Sequence, residues 1–255
     1  MRINLGKYQV EFKKRETINK PANYNSEDGF GGLNTLEFVS HELKGILGST
    51  IMCVYSIRDG FLGMLNFKQR ASIETTIRNL KRLESTIKDF LDISRIQEGK
   101  LTVRKMEVNI NEDIINEVED AFLSEIYESR MIFDNRIPEG MVISTDRNLL
   151  LTVFNNLVSN AIKYGVTGGS IIIKAETFEK MARFSVFNSG VSIREEDRQK
   201  LFKKFSRIDA EQHRRIKGTG LGLFIIYDII KNLGGSIWHE MHEDGNEFIF
   251  EIERV

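Results

Sequence analysis

A heptad seam constrains this chain more than any other feature of its sequence. Leu36, Val39, Leu43, Ile46, Thr50, Cys53 and Ile57 are spaced 3-4-3-4-3-4, the pattern of a helix that packs lengthwise on other helices. Asn34 or Thr35 can cap its start, with Glu37 in the first turn. Segment 58–66 contains Gly60 and Gly63 and reads as a turn. A second stripe follows through Ile73, Ile77, Leu80, Leu83, Ile87, Phe90 and Leu91, predicting a helix over 67–98 that Gly99 closes. Two helices with narrow stripes bury little alone. Paired with a second copy they make a four-helix bundle, so a homodimer is expected. If Leu36 takes position a, His41 takes position f, opposite the seam, with Glu42 beside it. The helix alone leaves two readings of His41 open: a solvated surface residue, or an exposed imidazole nucleophile next to a carboxylate.

After Gly99 the period changes. Residues 101–108 alternate as a strand, 111–129 read as a helix and 141–144 as a short strand. Asp146 is a suitable N-cap for a helix over 147–164. Segments 170–177 and 181–187 read as adjacent strands, 194–204 and 221–233 as helices, and 235–241 and 246–253 as two closing strands. Grouped helices and strands predict an α+β fold, a mostly antiparallel sheet covered by helices. The division expected is a leader or linker over 1–32, a helical hairpin over 33–99 and the α/β layer over 100–255. In the leader, Ile3/Leu5 and Tyr8/Val10/Phe12 alternate at strand period around Gly6.

Composition excludes several classes. Of 255 residues, 41% are hydrophobic and 29% charged, with a net charge of −1, which argues against a general nucleic-acid binder. No apolar run approaches the ~18 residues of a membrane span, and the first residues lack a secretory apolar core. Cys53 is the lone cysteine and falls on the seam, so it reads as a small core residue, and the cytoplasm is the expected compartment.

Four segments in the second half carry chemistry. Asn156, Asn160, Lys163 and Tyr164 lie three or four residues apart, on one helix face. An amide oxygen suits Mg²⁺, an ammonium suits phosphate and a ring can stack on a base. Lys217-Gly218-Thr219-Gly220-Leu221-Gly222-Leu223 leads into a helix, where glycines let backbone N–H groups approach an anion. It is neither a Walker A loop nor a GxGxxG. Upstream lies a basic stretch with Arg207, His213, Arg214, Arg215 and Lys217, either a solvated loop or a mobile lid over phosphates. Asn188-Ser189-Gly190-Val191-Ser192-Ile193 follows a strand and has turn composition.

The order of these segments resembles the sensor histidine kinases of two-component systems over residues 33–255. His41-Glu42-Leu43-Lys44 resembles the H box, 156–164 the N box, 188–193 the G1 box, Leu201-Phe202-Lys203-Lys204-Phe205 the F box and 218–223 the G2 box. Residues 95–101 resemble the junction between the two domains. The resemblance implies a dimeric phosphotransfer hairpin followed by the ATP-binding α/β sandwich shared with gyrase and MutL. It implies ATP and Mg²⁺ as cofactors and a response-regulator receiver domain as partner. His41 would be the phospho-acceptor and Glu42 its proton partner. Asn160 would ligate Mg²⁺ with Asn156 in support. Lys163 would meet phosphate, and Tyr164 would lie near adenine. Asn188, Gly190 and Ile193 would border the base, and Phe205, Arg215, Lys217, Gly218, Thr219, Gly220, Leu221, Gly222 and Leu223 would close around the nucleotide.

Three departures stand out. The G1 box usually opens with Asp, here Asn188, whose amide can accept the adenine amino group but also donate. Its second glycine is Ser192, which is expected to stiffen or narrow the pocket edge. The H box usually continues with Thr or Asn and then Pro, here Gly45 and Ile46. An alternative reading keeps the fold without catalysis, as a signalling scaffold.

Overall fold

The computed structural model describes residues 2–5, 8–11, 31–97, 102–206 and 219–254, side chains before residue 42 and at 89, 90 and 92–97 excepted. The chain divides into two compact units, Met1–Val39 and Ser40–Val255. In the first, β1 (Arg2–Leu5) pairs antiparallel with β2 (Tyr8–Glu11), as the leader's alternation predicts. The Gly99 cap and the strand position at Phe12 lie outside the described residues.

The hairpin forms as α1 (Gly31–Arg58) and α2 (Phe67–Gln97). The backbone of His41 lies in α1, which runs unbroken through Gly45 and Gly48; its side chain, and with it the expected f-position exposure, lies outside the described residues. The predicted seam needs correction. Leu47 and Val54 are buried, with Ile51 half-buried between them, whereas Leu43 and Ile46 are exposed. Cys53 is exposed and is not a core residue. The apolar doublets 46/47 and 53/54 give α1 two adjoining stripes, and the hairpin of a single chain covers only one. On α2, Ile77 and Leu91 are buried as expected, but Leu83 is 49% exposed. The turn leaves Phe61, Leu62, Met64 and Phe67 in the open as well.

The second layer is a five-stranded sheet in the order β4-β6-β7-β9-β8, built from Ile132–Arg136, Ser170–Phe178, Met181–Ser189, Gly245–Glu253 and Ser236–His242. All pairs are antiparallel except β4 with β6. A two-stranded sheet, β3 (Met106–Asn109) with β5 (Val142–Thr145), flanks it. The expected strand over 101–108 is thus confined to its last residues. The predicted helix over 111–129 opens as a π-helical turn, Ile110–Ile115, before α3 (Asn116–Glu128).

Period explains the packing. On α4 (Arg147–Tyr164), Leu150, Val153, Phe154, Leu157, Val158 and Ala161 form a buried stripe. Asp146 caps this helix, its side chain accepting from the backbone N–H of Asn148 and Leu149. On α6 (Gly222–Asn232), Ile225, Ile226, Ile229 and Ile230 do the same. Both helices cover the sheet face that carries Ile171, Ile173, Phe184, Val186, Phe250 and Ile252. Phe154, Phe184 and Phe250 meet at the centre with ring centroids 5.1–5.6 Å apart. The opposite face is charged: Arg183 pairs with Glu251 at 2.6 Å and Glu176 at 2.9 Å. Helix α5 is one turn, Glu195–Arg198, not the helix expected over 194–204. Leu201 and Phe202, beyond its end, pack against the core from the non-helical stretch that follows.

Candidate nucleotide site

The stripe that buries one side of α4 leaves Asn156, Asn160, Lys163 and Tyr164 on the other. There they line a cavity of about 600 Å³ together with Asn188, Ile193, Thr219, Gly220, Gly222 and Leu223. Of the remaining expected residues, Gly190 and Leu221 do not line it, though Leu221 is buried directly before α6. Phe205 is 72% exposed and also stands off the cavity. Arg215, Lys217 and Gly218 lie outside the described residues, as does all but Ser206 of the expected lid between Phe205 and Gly218. The two flanks of that segment meet: a Cβ on Gly220, whose φ is +71°, would stand 2.8 Å from the carbonyl oxygen of Ser206. A side chain at this position is therefore excluded by conformation and by space.

The next glycine touches the amide face directly. Gly222 opens α6, and a Cβ there would press on Asn156 Oδ1 at 2.6 Å. Asn156 Nδ2 donates to the carbonyl of Thr152 at 2.9 Å, which keeps its oxygen on the α6 side. Half-buried Asn160 sits one turn on. This donor set is one of amide oxygens, the hard ligands that Mg²⁺ accepts, so the residues present fit that ion.

The G1-like segment is tied to the β8–β9 turn. Gly190 N–H donates to Asp244 O at 2.9 Å, and Ser192 Oγ donates to His242 O at 2.5 Å. Asn246 accepts from Ile193 N–H at 2.8 Å and donates to Val191 O at 2.9 Å. Ser192 thus ties this edge to main-chain carbonyls of His242 and Gly245 on the neighbouring hairpin.

His239, buried on β8, pairs through Nε2 with Asn246 Oδ1 at 3.0 Å. The amide oxygen only accepts, so Nε2 carries the proton, and Nδ1 has no partner among the described residues. Burial holds this imidazole below its ordinary 6.5, and the bond to Asn246 opposes that only in part. The unfolded chain then binds the proton first. His239 contributes stability that is complete above pH 6.5 and declines as pH falls toward the folded value. The melting temperature is expected to drop between pH 7.5 and 5.5 more steeply in the parent than in His239→Gln, and equal slopes would contradict this.

Sequence reasoning missed one wall of the cavity. Lys81, Arg82, Ser85, Thr86 and Lys88 of α2 also line it. Their spacing, 81/85/88 and 82/86, is a polar helical stripe that was available as a signal. Phe122, Asn246 and Phe248 were missed as well. Among the described lining residues, Lys81, Arg82, Lys88 and Lys163 are cationic and none is a carboxylate. A cavity of this charge favours an anion.

The family described as histidine kinase-, DNA gyrase B- and HSP90-like ATPases matches residues 145–255. The signal transduction histidine-protein kinase BaeS of Escherichia coli is 29% identical over 200 residues, covering 78% of this chain and 42% of its own. This chain thus spans less than half the length of that relative. The catalytic domain of the histidine kinase ThkA is 38% identical, with a TM-score of 0.53, over 59% of this chain and 96% of that domain. ThkA in complex with the response regulator protein TrrA is 30% identical, with a TM-score of 0.58, over 89% of this chain and 68% of that one. The chain belongs to the two-component histidine kinases, as a catalytic core: a helical region followed by the ATP-binding sandwich. No helix among the described residues is long and apolar enough to cross a membrane.

Proposed function

We propose that this chain is an ATP-dependent protein-histidine kinase that phosphorylates His41 and passes the phosphoryl group to an aspartate on a response-regulator receiver domain. One observation carries the reading. The cavity lined by the amide and glycine elements is also lined by α2, and α2 is the hairpin partner of the helix that holds His41. The base end is formed by Asn188, Ile193 and Tyr164. The phosphates lie toward the start of α6 and Lys163, where backbone N–H groups and the helix dipole favour anions. Asn160 would hold Mg²⁺, with Asn156 in support, and the ion would neutralise phosphate charge. A neutral nitrogen of His41 attacks the γ-phosphorus, the bond to the bridging oxygen breaks, and ADP leaves. Glu42 takes the proton from the other ring nitrogen. Phosphoryl transfer demands positioning and charge neutralisation more than covalent help, and the α2 cations fit that demand.

The domains in this reading are 33–99 for dimerisation and phosphotransfer and 100–255 for ATP binding. The exposed stripe of Leu43, Ile46 and Cys53 and the open turn at Phe61, Leu62, Met64 and Phe67 support a homodimer, since apolar surface of this kind seeks a partner. The receiver partner is supported by the ThkA–TrrA complex. Asn188 favours a second reading, a scaffold that no longer turns over ATP. Calorimetry is expected to show one Mg·ATP bound per chain at millimolar nucleotide or below, and the same sample should sediment as a dimer. No binding at millimolar ATP would end the kinase reading, and a monomer would end the dimer.

A further inference from the structure

Two carboxamides stand side by side at the base end of the cavity, paired across β7 and β9: Asn188 and Asn246. Both are buried, at 4% and 3% exposure. They are not held alike. Asn246 is locked at both ends, its oxygen by Ile193 N–H and His239 and its nitrogen by Val191 O. Asn188 has one long bond, Nδ2 to Ser189 O at 3.4 Å, and no described residue donates to its oxygen. Turning the Asn188 amide over breaks only that weak contact.

A carboxamide presents one acceptor beside one donor, and turning it over exchanges their places. In one orientation it accepts from a 6-amino group and donates to the neighbouring ring nitrogen. In the other it donates to a 6-oxo group and accepts from the neighbouring ring N–H. Both edges are matched by two bonds. A carboxylate at the same place only accepts, and offers nothing to a 6-oxo oxygen. The cavity's cations act on the triphosphate whichever base is attached.

We propose that Asn188 makes this site tolerant of the purine 6-position, so that it takes 6-oxopurine nucleoside triphosphates as well as ATP. The inference rests on the nucleotide-binding reading above and widens its substrate from ATP to a class, the purine nucleoside triphosphates. Leaving a buried polar group unpaired is what normally rejects a near-isostere, and an amide free to turn removes that penalty.

The test compares ATP with inosine triphosphate, which differs at the 6-position without adding a 2-amino group. Binding of each to the full chain is measured by calorimetry with Mg²⁺. The two dissociation constants are expected to agree within about fivefold in the parent. In Asn188→Asp they are expected to separate by about tenfold or more in favour of ATP. A parent that binds ATP but disfavours inosine triphosphate by about tenfold or more overturns this inference alone. So does an Asn188→Asp chain that binds ATP with the parent's ratio. If that variant fails to fold, the parent ratio still decides. A parent that binds neither nucleotide overturns the kinase reading as well.

Discussion

Phe154→Ala is expected to cost about 3–5 kcal/mol of folding stability, the usual loss when a buried aromatic ring is cut back to a methyl group. Phe154 is fully buried, and its ring meets Phe184 and Phe250 edge-on, with centroids 5.6 Å away in each case. It is the point at which α4 is pinned to β7 and β9. The lost burial and two aromatic contacts add to a cavity that rigid strands cannot close. Against a total stability of about 5–15 kcal/mol, that is a large fraction. The effect is expected to reach function because Asn155 and Asn156, the next residues, line the cavity proposed to hold the nucleotide. Urea denaturation measures it. Leu123→Ala, on an exposed α3 position, should change stability by less than about 0.5 kcal/mol. A loss below about 1 kcal/mol for Phe154→Ala would show that the aromatic cluster is not the centre of this core.

The helix over 147–164 and the strands it covers were legible because helix period and strand alternation agree there, although the Phe154 stripe itself emerges only in the structure. A capped 3-4 stripe on α4 faces alternating apolar residues on β6, β7 and β9, and each specifies the other's buried face. Strand β4 was not legible. Ile132-Phe133-Asp134-Asn135-Arg136 has no alternation, since it lies at the sheet edge and buries none of its residues fully. Its place is set by parallel pairing with β6, a tertiary fact. On α1 the difficulty was the reverse: the doublets Ile46-Leu47 and Cys53-Val54 offer two seams, and periodicity cannot say which one the chain's own α2 covers.

The site divides the same way. Asn156, Asn160, Lys163 and Tyr164 on α4 and the glycines at 220 and 222 around the start of α6 form two short local clusters, and they gather in one cavity. The α2 cations and Asn246 come from distant segments, brought in by docking and strand pairing, so local pattern says nothing of their proximity. Ser192 was legible as a departure but not as a donor to His242 O, because that carbonyl is fifty residues away.

His41→Gln is expected to abolish phosphoryl transfer entirely while leaving nucleotide binding intact. Gln is close to imidazole in size and polarity, but its amide nitrogen is not a nucleophile at neutral pH. Every residue proposed to hold ATP lies outside α1, so the substitution leaves the cavity untouched. The decisive measurement is therefore incubation of both chains with γ-labelled ATP and Mg²⁺, followed by acid and alkali treatment of the protein. The kinase reading predicts label on the parent that is lost in acid and stable in alkali, as for a phosphoramidate, and none on His41→Gln. An unlabelled parent that still binds ATP would make the chain a scaffold. Acid-stable label, or label that persists on His41→Gln, would contradict the assignment of His41 as the phospho-acceptor.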